Sequence, residues 1–182
     1  MSASLQVNYY GASVSEPAGT DATQGIRFNR EDTQNGTAGA IPIPQSGPNT
    51  YFSYYKQVAL AVTVTDPITS ISNRTVKIAT NVSLPTGVFL YFLGGAGYRQ
   101  ANGSSAPQDA HANQATPTDP SGDGTYAVMT LQPQSFDPNP VPSANSGRNG
   151  SFCRLVFAVD ARYTGGAGML TLPNIIVGYD EG

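Results

Sequence analysis

Gln57-Val58-Ala59-Leu60-Ala61-Val62-Thr63-Val64-Thr65 decides the fold. Val58, Leu60, Val62 and Val64 fall on one side of an extended chain. Ala59, Ala61, Thr63 and Thr65 fall on the other. A period of two, rich in β-branched residues, predicts a strand rather than a helix. Asp66-Pro67 ends it, because proline has no amide for the ladder and pushes its predecessor out of regular pairing. Tyr51-Phe52-Ser53-Tyr54-Tyr55-Lys56 leads into this run as the same strand or an adjoining one.

The same pattern recurs on both sides. Residues 75–82 predict a strand with Val76, Ile78 and Val82 inward and Lys77 outward. After a Pro85-Thr86-Gly87 turn, Val88-Phe89-Leu90-Tyr91-Phe92-Leu93 is apolar on both faces, which predicts a strand buried on both sides or one with a buried side and an interface. Residues 126–132 and 152–160 predict further strands, the latter with Cys153, Leu155, Phe157 and Val159 on one face. Residues 169–172 and 175–179 complete the series around Pro173. Residues 5–10 and 25–29 are weaker strand candidates near the N-terminus.

Roughly eight to ten short strands with no helical segment between them predict an all-β fold, an antiparallel two-sheet sandwich of jelly-roll type, with a closed barrel as the main alternative. The chain has 182 residues, 20 of them Gly and 14 Pro, which fits one domain, 1–182, with dense punctuation. Two stretches, 94–125 and 133–150, are poor in large apolar groups and predict long loops. The strand-poor parts of residues 1–50 predict an extended N-terminal arm.

Composition narrows the function. Charged residues make up 12% of the chain, about half the usual share. The net charge is −3 with no basic cluster, so neither nucleic acid nor an anionic membrane is an expected partner. No run approaches the ~20 apolar residues of a membrane helix. The start, Met1-Ser2-Ala3-Ser4-Leu5, has no basic or apolar leader, which predicts synthesis in a cytoplasm without a signal peptide. Five Asn-x-Ser/Thr sites, at Asn35, Asn73, Asn81, Asn102 and Asn149, are expected from the abundance of those residues.

Candidate chemistry is sparse. The one His, His111, sits near Asp109, but no serine stands in a nucleophile context, so a solvated loop histidine is expected. The one Cys, Cys153, lies in an apolar run and reads as a small core residue. His111 and Cys153 alone cannot make a zinc site. Asp119 and Asp123, beside Gly122 and Gly124, are the best calcium candidates, although a tight turn explains the same residues. Acid pairs for glycoside hydrolysis could come from Asp66, Asp137, Asp160 or Glu31-Asp32, and no spacing selects two of them. Tyr51, Tyr54 and Tyr55 could stack on a sugar, but alternation opposes Tyr54 to Tyr55 and favours packing. The Gly94-Gly95-Ala96-Gly97 segment lacks the lysine and helix of a phosphate cradle. No enzyme activity and no cofactor are expected.

Arginine outnumbers lysine, with Arg27, Arg30, Arg74, Arg99, Arg148, Arg154 and Arg162 against Lys56 and Lys77. Arg154 alternates within a strong strand, which predicts that it faces a partner or a buried acid. Low charge, polar uncharged loops, Pro-punctuated strands and arm-like segments together resemble the single-jelly-roll capsid proteins and β-sandwich head decoration (cement) proteins of viruses and phages. The resemblance implies a virion structural subunit. Its partners would be other copies of itself or a major capsid protein, and it would have no active site. Uncharged loops cost less to desolvate at such an interface than charged ones. Two alternatives share the composition. One is a carbohydrate-binding or adhesin module. The other is a filament subunit that donates residues 5–10 as a strand.

Overall fold

The computed structural model describes residues 3–11, 13, 15–23, 25–29, 34–35, 41, 50–79, 83–98, 124–166 and 170–182. Among them there is no helix. The strands are β1 (Ser4–Tyr10), β2 (Thr20–Asp21), β3 (Thr50–Phe52), β4 (Lys56–Val64), β5 (Ser70–Ile78), β6 (Val88–Ala96), β7 (Ala127–Val128), β8 (Gln134–Asp137), β9 (Val141–Pro142), β10 (Gly147–Asp160) and β11 (Ile175–Glu181). They form two antiparallel sheets. The large sheet has the order β2-β1-β4-β10-β6-β7, with β3 also on β10. The small sheet has the order β11-β5-β8, with β9 also on β5.

Register explains which residues meet. On the inner face of the large sheet, Cys153 pairs with Val58 and Leu155 with Phe92. These residues pack against Val76, Ile78 and Phe136 of the small sheet in one buried cluster. The alternation in 57–65 holds for most of the run. Val58, Leu60 and Val62 are buried, with Val58 in the inter-sheet cluster, but Val64, expected on the same face, is 55% exposed at the end of β4. Burying each large aliphatic side chain in such a layer stabilises the fold by about 1.5–3 kcal/mol.

The outer face of the large sheet is also covered. Phe52, Tyr55, Tyr91, Leu93 and Tyr126 form a second buried cluster there, and Tyr10, Ala59, Ala96 and Phe152 a third. That explains why β6 is apolar on both sides. Small Ala59 beside large Tyr10 and Phe152 lets the two rings meet edge to face at 5.1 Å.

Several expectations are corrected. Residues 133–150 are not a loop, since they hold β8, β9 and the start of β10. Their strands are short and pair with β5, so local alternation does not reveal them. The strand expected at 5–10 is present as Ser4–Tyr10, while Thr20–Asp21, in the stretch expected as an arm, pairs with it at the edge of the large sheet. The strand expected at 75–82 begins earlier, at Ser70. Of the strand expected at 126–132, only Ala127–Val128 is a strand, although Met129 and Thr130 continue with single backbone hydrogen bonds to Leu90 and Ile78. Residues 25–29 and 170–172 are not strands. Residues 94–96, placed in a loop from sequence, continue β6, while 99–123 lie outside the described residues.

Candidate interaction surface

Every described carboxylate is engaged within the molecule. Asp137 meets Arg74, Glu16 meets Arg148, and Asp160 meets Arg162. Asp66 accepts the Ile68 amide at 3.0 Å, Asp21 the Thr23 amide and hydroxyl, and Asp180 the Asn73 carboxamide. Glu181 accepts the Ala3 amide. The Ile68 amide lowers the pKa of Asp66, and the Arg162 guanidinium lowers that of Asp160. Asp66, Asp137 and Asp160 thus sit with three separate partners, in the turn after β4, at the end of β8 and at the end of β10. They do not converge as a hydrolytic pair. Among the described residues, no three His, Cys, Asp or Glu side chains gather as a metal site. His111, Asp109, Asp119, Asp123, Glu31, Asp32, Arg30 and Arg99 lie outside the described residues.

Asp137 and Arg74 form a buried ion pair. In β10 the register slips between Asn149 and Cys153, so Gly150, Ser151 and Phe152 oppose only Ala59. This bulge carries backbone out of the large sheet toward the small one. The Ser151 amide donates to Asp137 Oδ2 at 2.7 Å, and Arg74 Nη2 donates to Asn149 Oδ1. Arg74 also donates to the carbonyls of Ile71 and Asn139 at 2.9 and 2.8 Å. The bulge and the ion pair together bolt one sheet to the other. Asn149 is accordingly buried, so the sequon there is closed to modification in the folded chain.

Of the two settings expected for Arg154, the buried one holds. It is sealed within the molecule, not turned to a partner. Its guanidinium stacks 4.9 Å from the Tyr55 ring centroid and donates to Gln57 Oε1 and the Gly97 carbonyl. Tyr55 is buried beneath it, and Tyr51 and Tyr54 are half-buried, so the three tyrosines do not make an open stacking platform. Cys153 is in the core as expected, and burial pushes its thiol pKa upward.

What the fold leaves open is an edge. The large sheet ends in β2 and β7, each two residues long, which blunts it. The small sheet ends on one side in β11, seven residues long, paired only with β5 among the described residues. Ile176 and Tyr179 on this strand are 42% and 40% exposed. Its charged residues, Asp180 and Glu181, sit at one end, past a register slip. Among the described residues, no strand pairs with the free side of the 175–177 segment, beside the exposed Ile176. A cleft of about 400 Å³ opens between β6, β7 and β8, lined by Phe92, Leu93, Gly94, Phe136 and Pro138. No titratable side chain among the described residues lines it.

The sequence reading missed this edge because exposure of a strand depends on sheet order, which alternation does not encode. It also passed over Asn149 as a polar contact, although its sequon had drawn notice. Comparison with known protein families, with curated proteins and with solved structures finds no match to this chain.

Proposed function

We propose that this protein is a virion structural subunit, a capsid or capsid-decoration (cement) protein that works by assembling with copies of itself or with a major shell protein. The observation that carries the reading is the long, weakly guarded β11 edge with Ile176 and Tyr179 exposed beside it. Such an edge accepts a further strand from another chain. The low charge of the chain supports the same reading, because a surface poor in ions is cheaper to desolvate against a neighbour. So does the internal use of every described carboxylate, which fits a frame better than a reagent.

Purified virions from cells that make the protein test this directly. The chain should be present at a copy number in simple ratio to the shell protein. Absence from particles, combined with a monomeric state at high concentration in light scattering, would overturn the reading.

A further inference from the structure

The chain has only two lysines, and one of them, Lys56, is fully buried. Lysine is almost never buried to that degree. Lys56 begins β4, pairs with Leu155 across the ladder and points into the space between the sheets. Its Nζ donates to Asn29 Oδ1 at 2.9 Å, and Asn29 is also buried. Asn29 is held from behind, because its carbonyl accepts the Tyr54 amide at 3.0 Å. Phe28 packs on Phe157 at 6.4 Å, and Phe28, Ile26 and Phe157 all join the inter-sheet cluster. An amine and a carboxamide are thus fixed in contact beside an apolar wall.

We propose that Lys56 and Asn29 form an intramolecular isopeptide bond. Fixed contact supplies the reacting geometry that a bimolecular amide exchange lacks. The nucleophile in such a step is the neutral amine, through its lone pair. The Lys56 Nζ lone pair adds to Asn29 Cγ, forming the new C–N bond. The Cγ–Nδ2 bond then breaks, and Nδ2 leaves as ammonia with the proton given up by the amine. No oxidant, reductant or second reactant is needed. The product ties the segment before residue 30 to the first residue of β4, enclosing residues 30–55 in a covalent loop.

Intact-mass spectrometry of the purified full chain, followed over days at 37 °C, tests the proposal. The expected result is a loss equal to one ammonia molecule. Tryptic digestion should yield residues 28–30 joined to residues 31–74, uncleaved after Lys56. Lys56→Met and Asn29→Ala should both keep the full mass, and Asn29→Asp should lose water in place of ammonia. Peptide mapping of the unaltered chain needs no variant to fold. Recovery of separate peptides ending at Arg30 and Lys56, with the full mass retained, would overturn the proposal. So would an ammonia loss that maps to a succinimide at Asn35-Gly36, Asn102-Gly103 or Asn149-Gly150, or one that persists in Lys56→Met.

Discussion

Arg74 Nη1 lies 3.3 Å from Asp137 Oδ2, and both side chains are closed off from solvent between the two sheets. The pair joins β5 to β8 and is completed by Asn149 and Ser151 from the β10 bulge. Two buried charges of this kind do not simply add stability, since desolvation offsets much of their attraction. Their removal one at a time is the severe change, because it strands the other.

Asp137→Ala should therefore destabilise the protein by about 3–5 kcal/mol. Urea denaturation followed by circular dichroism measures this. The double variant Arg74→Met with Asp137→Leu should recover a large part of the loss. A double variant as unstable as the sum of the singles would show that the pair is not the source.

Gly150 lies at φ +84°, and a Cβ there would come 2.6 Å from the Arg74 guanidinium and from Asp137 Oδ2. Gly150→Ala combines left-handed strain with a clash against the buried ion pair, and should cost about 1–3 kcal/mol or more. Its effect should shrink in the Arg74→Met background, where a flexible apolar chain replaces the guanidinium. Thermal melts of the four proteins in this cycle give the coupling.

The Cys153 thiol should be inert in the native state. It lies in the inter-sheet cluster and burial raises its pKa, so little thiolate forms at neutral pH. A coloured disulfide reagent should react with it only as fast as the protein unfolds, and at once in concentrated urea. Rapid native labelling would mean that the sheets part locally at β10.

Acid should weaken the fold through Asp160 and Asp66, whose folded pKa values lie below the ordinary 3.8. A carboxylate with a depressed folded value favours folding fully above its unfolded pKa, and that contribution is lost as pH falls through the folded value. The urea midpoint should be flat from about pH 5 to 7 and fall below about pH 4. Asp160→Asn should make the fall shallower, and an unchanged profile would remove Asp160 from the account.

Ile176→Lys on β11 should weaken self-association or particle binding while leaving the melting temperature nearly unchanged, since surface substitutions usually shift stability by within about 0.5 kcal/mol. Light scattering against concentration, set beside a melt of the same sample, reads both. A fall in stability without a change in association would place Ile176 in the core economy of the small sheet instead.

The sequence by itself determined the class of this protein. Alternation is a property of one strand, so the inner face of β4, the two-sided burial of β6 and the core position of Cys153 were legible in 57–65, 88–93 and 152–160. The tertiary structure alone decided what depends on pairing between distant strands. Residues 133–150 look like a loop until Phe136 and Val141 are set against β5, and residues 5–10 read as a strand without saying that β4 is the neighbour. Arg74 and Asp137 stand 63 residues apart, and Lys56 and Asn29 stand 27 apart. Neither contact leaves a local mark, because a strand's period fixes which face a side chain takes and says nothing about which strand comes to meet it.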